Sequence, residues 1–239
     1  MKKVDFKDLI IFENEDYILI NKPPYLSTLE DRIYGASNVL ALSREYNPDA
    51  RVCHRLDKET SGVLAIAKND AAYRHLSIQF EDRQVKKLYH AVVHGVHQFE
   101  GVDVYLPILA LSDGTVKIDK QKGKIAETIF NTIEVFSKHT LVECFPITGR
   151  MHQIRIHLNC LKAPIVSDVQ YGGEYLYLSS LKKKKFNLKK DTEEQPVMKR
   201  VALHAYGLEF EDLNGKPLSV TAEYPKDFDV LVKQLRKYS

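Results

Sequence analysis

The order in which strand-type and helix-type segments succeed one another is the strongest constraint this chain places on its fold. "KLYHAVVHGV" (87–96), "IAETIFNTIEVF" (125–136) and "HTLVECFPI" (139–147) gather in a run and are rich in β-branched and aromatic residues. "DYILINKPP" (16–24) reads as an earlier strand closed by Pro23-Pro24, and "VLAIAK" (63–68) as a buried one. "RVALHAYGLEFED" (200–212) reads as a late strand leading to an Asn214-Gly215 turn. Helical periods stand at intervals. Residues 36–46 would turn Val39, Leu40 and Leu42 inward, and 69–83, capped by Asn69, would bury Ala72, Leu76 and Phe80. The last segment, "KDFDVLVKQLRKYS", would bury Phe228, Leu231, Val232 and Leu235. Strands in runs with helices between them predict an α+β fold, a mixed and largely antiparallel sheet flanked by helices, rather than alternating βαβ units.

At 239 residues the chain can bury a real core, and a single domain over 1–239 is expected. No apolar run reaches the length of a membrane-spanning helix, and acids interrupt the apolar part of the first twenty residues, so neither a membrane anchor nor a signal peptide is expected. Cys53, Cys144 and Cys160 are odd in number and lack metal-ligand spacing, which points to buried thiols in a reduced, cytoplasmic protein. Residues 174–198 break the pattern and read as an insertion or mobile loop within that domain. Their "LKKKKFNLKK" (181–190) reads as a solvated charge run, with contact to nucleic-acid phosphates as the functional alternative.

Several function classes lack their signatures. There is no GxxxxGK[ST] or GxGxxG phosphate loop, and "DGTVKIDKQKGK" looks like a basic hairpin edge; no nucleotide cofactor is expected. No GxSxG elbow supports a serine hydrolase. His90, His94 and His97 lie in strand-like sequence with no cysteine or carboxylate pair beside them, so structural histidines are expected and no metal.

Three segments remain. "HRLDKETSG" (54–62) sets Asp57 in a polar turn among the basic residues His54, Arg55 and Lys58. Asp57 could serve only the turn, with Thr60 and Ser61 capping the structure after it. "KLYHAVVHG" (87–95) carries Tyr89, which could be a cross-strand aromatic. "GRMHQIRIHLNCL" (149–161) places Met151, Ile154, Leu158 and Leu161 on one helical stripe and His152, Arg155 and Asn159 on a neighbouring polar one. Each has a bland reading alone. In this order, with "NKPPYLS", "APIVSDVQYGG" (163–173) and "LHAYGLEF" (203–210), they resemble the RluA-type family of RNA pseudouridine synthases over nearly the whole chain. The sequence departs from that family at Pro24-Tyr25-Leu26, where a glycine is usual, and in the greater length of 174–198.

The resemblance implies an isomerase that turns uridine into pseudouridine in a structured RNA, a tRNA or rRNA stem-loop. The C1′–N1 bond breaks, the uracil rotates and a C1′–C5 bond forms, so no cofactor is needed. Asp57 becomes the nucleophile, with attack at C1′ or C6, or removal of the C2′ proton, as open routes. Arg155 becomes the partner that keeps it ionised against desolvation, ahead of Arg150. Tyr89 offers a ring to the uracil and a hydroxyl for the C5 proton. Arg55 could fill the space left by the flipped base. Arg150, His152 and Thr60 join it as substrate-binding candidates, Thr60 with Ser61 and Gly62 chiefly shaping the turn. The resemblance leaves no room for an N-terminal RNA-binding module, and a monomer is the default. Two other readings compete. An RNA-binding protein without catalysis would not need Asp57, and a glycoside hydrolase would need a second carboxylate that these motifs lack.

Overall fold

The computed structural model describes residues 4–30, 37–182 and 193–239. In chain order the elements are β1 (Ile10–Glu13), β2 (Tyr17–Lys22), α1 (Val39–Tyr46), β3 (Arg51–Val52), β4 (Ser61–Ala67), α2 (Asp70–Glu81), β5 (Lys86–His94), β6 (Val102–Tyr105), β7 (Ile108–Ala110), β8 (Val116–Ile118), β9 (Glu127–Val135), β10 (His139–Pro146), α3 (Gln153–Cys160), α4 (Leu178–Leu181), β11 (Leu203–Glu211), β12 (Pro217–Thr221) and α5 (Lys226–Lys237). Among the described residues the strands pair mostly antiparallel, and β4 with β11 is parallel. This is the α+β architecture that the order of segments predicts. The chain divides into two compact units, one formed by the residues up to Leu88 with His204–Glu223, the other by Tyr89–Leu203 with Tyr224–Ser239.

The first unit is built around β4, every residue of which is buried. It pairs antiparallel with β2 from Tyr17↔Ala67 to Lys22↔Gly62. On its other side β3 meets its C-terminal end and β11 its N-terminal end, the latter through His204↔Ser61 and Ala205↔Gly62. β1, with the β-branched and aromatic run Ile10-Ile11-Phe12, pairs with β2, and β12 closes a hairpin with β11 through the Asn214-Gly215 turn. α2 covers this sheet as its period predicts. Asn69 caps it by accepting from the Ala72 amide at 2.8 Å, Ala72 and Leu76 are buried, and Phe80 packs at the edge of the same cluster. α1 differs in one detail. Ser43 is buried with Val39 and Leu42, whereas Leu40 is only half-buried, because Asn38 caps the helix and sets its rotation.

The second unit carries the antiparallel order β5–β10–β9–β6, with β7 and β8 as a separate hairpin. Phe130, Leu141, Val142, Leu158, Phe228 and Leu231 are among the side chains of its core, and α5 contributes all four predicted apolar positions. β11 starts at Leu203 rather than Arg200. Arg200 is fully buried, its guanidinium donates to the carbonyls of Val201 and Leu203, and the Asp227 carboxylate clamps it at 2.7 and 3.0 Å. That arginine bends the chain where sequence alone reads a strand. The two ends of the 174–198 stretch are also anchored. Leu176 and Met198 are core residues, and the Val197 amide donates to the Leu176 carbonyl at 2.8 Å. Residues 183–192, with most of the lysine run, lie outside the described residues.

The tightest approach in the first unit is at Gly62. Its φ is +117°, and a Cβ there would overlap the backbone carbonyl of Ala205. Gly62→Ala should therefore lower stability by about 2–4 kcal/mol, the combined scale of left-handed strain and overpacking. Urea denaturation checks this, and an unchanged midpoint would refute the close-approach role.

Candidate active site

The turn that holds Asp57 is fastened from three directions within the first unit. Its own frame is a turn in which the Thr60 amide donates to the Asp57 carbonyl at 3.0 Å. On one side Thr28 Oγ1 donates to the Leu56 carbonyl at 2.9 Å and accepts from the Leu56 amide at 3.1 Å, so one hydroxyl replaces a pair of ladder bonds. On another, Lys22 is fully buried and its ammonium donates to the carbonyls of Pro23 (3.0 Å), Leu26 (2.9 Å) and Lys58 (3.3 Å). The Tyr25 amide reaches the same Lys58 carbonyl at 2.7 Å. The third fastening is Ser61. His204 Nε2 lies 3.0 Å from the Ala222 carbonyl and must donate to it, so Nδ1 accepts from the Ser61 hydroxyl at 2.9 Å. Leu56 and Thr60 are buried, Asp57 is half-buried and Arg55 is exposed. The turn thus presents Asp57 and Arg55 outward from a fixed backbone.

His54 is not one of the turn's positive charges. Its Nε2 accepts from the Ala65 amide at 3.0 Å, and its ring lies 4.7 Å from that of Phe80. Desolvation, and next the Lys87 ammonium, depress its pKa to about 3. The neutral imidazole is a backbone acceptor that joins the motif to β4, which corrects the reading of Asp57 as ringed by three bases.

In the second unit, Tyr89 stands half-buried on β5 opposite Cys144 of β10. Arg155 is nearly buried on α3. Its Nε and Nη2 donate to the two Asp168 carboxylate oxygens at 2.8 and 2.7 Å, Nη2 also reaches Gln170 at 2.9 Å, and the guanidinium lies 4.8 Å from the Tyr171 ring centroid. The Tyr171 hydroxyl accepts from the Val116 amide at 2.9 Å and lies 2.8 Å from His152 Nδ1. The structure therefore brings Arg155 and His152 to one tyrosine. Arg150 is exposed, and its Nε donates to the Ile125 carbonyl at 3.0 Å.

The helix itself corrects the reading of 149–161. It begins at Gln153, and His152 precedes it in the left-handed region at φ 51°. Gln153 is the cause. Its Oε1 accepts from Thr148 Oγ1 and from the Arg150 amide, while its Nε2 donates to the Glu127 carbonyl and to Thr128 Oγ1. Residues 148–152 are held as a turn by that amide and are not free to coil. Nor are there a wet face and a dry one, since Gln153 through Leu158 are all buried. His157 Nε2 donates to the Leu106 carbonyl at 3.2 Å, so Nδ1 accepts from Thr128 Oγ1 at 3.0 Å, and burial lowers its pKa. His90, His94 and His97 likewise have structural contacts: Tyr224 for the first, the Glu174 backbone for the second and the His94 carbonyl for the third.

Sequence reasoning passed over Lys22, Thr28, Asp168 and Tyr171. Lys22 gave one signal, a lysine at the end of a strand that opens with four apolar residues. Asp168 gave another, a lone acid between small and apolar residues in "APIVSDVQYGG".

Two of these side chains can be tested through stability. His54 folds neutral at a pKa of about 3 and unfolds to an ordinary 6.5, so the unfolded state binds the extra proton between those values. Stability from this group is fully present above pH 6.5 and falls by about 1.4 kcal/mol per pH unit as the pH drops below it. His54→Gln keeps an acceptor for Ala65 without titrating, and its stability curve should be flatter by that amount between about pH 6 and 4. Identical slopes would remove His54 as the source. Asp168→Ala should cost about 3–5 kcal/mol in denaturant titration, because it breaks a buried ion pair.

Comparisons with known proteins identify the family. The model of the family described as RNA pseudouridylate synthase matches residues 16–160. "Ribosomal large subunit pseudouridine synthase C" of Buchnera aphidicola subsp. Baizongia pistaciae is 36% identical over 237 residues, 96% of this chain and 71% of that protein. The protein of the same name from Vibrio vulnificus is 32% identical over 98% of this chain and 71% of its own length. Among solved structures, the human protein described as RNA Pseudouridylate Synthase Domain Containing 4 superposes with a TM-score of 0.71 at 25% identity, covering 97% of this chain and 95% of that one. The chain belongs to the RNA pseudouridylate synthase family, of the RluA type, and is an RNA pseudouridine synthase, an isomerase.

Proposed function

We propose that this isomerase acts on uridine in large-subunit ribosomal RNA, in the cytoplasm, with Asp57 as its nucleophile. The observation that carries the substrate is the likeness, over 96% and 98% of the chain, to two bacterial proteins named for the large ribosomal subunit. What supports Asp57 is its setting. It is a half-buried carboxylate in a turn whose neighbours are pinned by Lys22, Thr28 and Ser61, so its side chain is presented by a backbone that does not have to be ordered when RNA arrives.

The remaining roles are argued from chemistry. Breaking the C1′–N1 bond and joining C1′ to C5 leaves a proton on C5 that must depart and a ring nitrogen that must be protonated, with no net gain or loss of atoms. Tyr89 offers the uracil an aromatic face and a hydroxyl for the C5 proton. Arg155, with its guanidinium plane fixed by Asp168 and the Tyr171 ring, is the catalytic cation of the set, held in one direction before RNA arrives. Arg55, exposed beside the nucleophile, fills the stack that the flipped base vacates, at a flipping cost of a few kcal/mol. Arg150 and His152 bind the RNA strand, and Thr60 holds the turn.

The test is Asp57→Asn, which keeps the shape and removes the charge. Pseudouridine formation on an unmodified large-subunit rRNA transcript should fall by about a thousandfold or more, with RNA affinity within about threefold of wild type. Wild-type turnover by the variant would overturn the assignment.

A further inference from the structure

Tyr25 is held in a conformation that tyrosine disfavours, with much of its surface in solvent. It comes directly after Pro24 in the turn that ends β2, and its φ is +67°, the left-handed region that glycine occupies without penalty. It is also 52% exposed, among the most exposed large aromatics of the described residues. The chain does not drift into this conformation. The Tyr25 amide donates to the Lys58 carbonyl at 2.7 Å, and the ammonium of Lys22 grips the carbonyls of Pro23 and Leu26 on either side. The same ammonium holds the Lys58 carbonyl, so Tyr25 is tied to the residue directly after Asp57. A strained backbone, a rigid mount and a half-bare aromatic side chain coincide at a residue bonded to the neighbour of the proposed nucleophile.

The turn needs a left-handed residue, and glycine would supply it with less strain. What tyrosine adds is a flat π face, and the substrate of this family is a polymer of flat bases. Exposed aromatics on rigid loops bind unpaired nucleotides by stacking, and they do so with little regard to base identity. Strained residues persist where the surrounding structure over-determines them and the side chain is used.

We propose that Tyr25 is a stacking platform for an unpaired nucleotide of the RNA next to the target uridine. This rests on the reading of Asp57 as the nucleophile, because Tyr25 is placed by its tie to the Asp57 turn. It takes no part in bond making or breaking; it captures and orients the strand.

The experiment compares Tyr25→Gly and Tyr25→Phe with wild type, using tritium release from an unmodified, 5-tritiated large-subunit rRNA transcript and thermal unfolding. Tyr25→Gly keeps a residue suited to the left-handed backbone, and a cooperative thermal transition shows that the variant is folded. It should raise KM about tenfold, the scale of one lost base stack, and leave kcat within about twofold. Tyr25→Phe keeps the ring and should behave as wild type. A Tyr25→Gly variant with wild-type KM overturns the proposal. So does a Tyr25→Phe variant as impaired as Tyr25→Gly, which would assign the effect to the hydroxyl. Asp57→Asn run alongside separates the two readings. Undiminished activity in that variant sinks the nucleophile, whereas the KM of Tyr25→Gly reports on stacking alone.

Discussion

A buried ammonium organises the turn that carries the proposed nucleophile. Lys22 has no exposed surface, and a cation removed from water is tolerated only when hydrogen bonds replace its hydration. The carbonyls of Pro23, Leu26 and Lys58 do so, and they come from two segments well separated in sequence. The loop after β2 and the turn before β4 therefore cannot move independently without baring the charge. Asp57 inherits its fixed position from that constraint, as does the unusual backbone of Tyr25.

The second unit solves a similar problem with opposite charges. Arg155 and Asp168 are both nearly inaccessible, and their bidentate geometry provides the direction that a single contact would lack. Tyr171 adds its ring to the guanidinium and its hydroxyl to the Val116 amide, so the β7–β8 hairpin is tied to the same point. The polar residues of "GRMHQIRIHL" are thus largely interior ones. Gln153 and His157 satisfy β9 and its neighbours, while Ile154 and Leu158 fill the core between them.

Much of the fold could be read from periodicity. β4, α2 and α5 follow their apolar patterns almost residue for residue, because local pattern and burial agree there. The failures share a cause. The helix expected from Gly149 begins at Gln153, whose amide binds the distant Glu127 backbone, and the strand expected from Arg200 begins at Leu203, where the Arg200 guanidinium folds back on the carbonyls of Val201 and Leu203. Asp168 was invisible as a partner for Arg155 because nothing in a thirteen-residue spacing encodes a salt bridge. The motifs marked Asp57, Tyr89 and Arg155 as a set, but Lys22 and Thr28, which fix the Asp57 turn, looked like an ordinary strand end and loop. Chemistry-bearing residues announce themselves by type; supports are defined only by what they touch.

The return of the chain to the first unit bears on how the protein is made. β4 meets β11 only when residues 203–211 exist, and the second unit receives Phe228 and Leu231 only from α5. Until His204 has been made, the Asp57 turn lacks the partner that holds Ser61, and β4 lacks its parallel neighbour strand. Each unit waits for residues that come late in this sequence, so synthesis cannot deliver one finished before the other is begun. The turn that carries Asp57, the proposed nucleophile, gains its Ser61–His204 bond only after a residue 143 positions beyond Ser61 has been made.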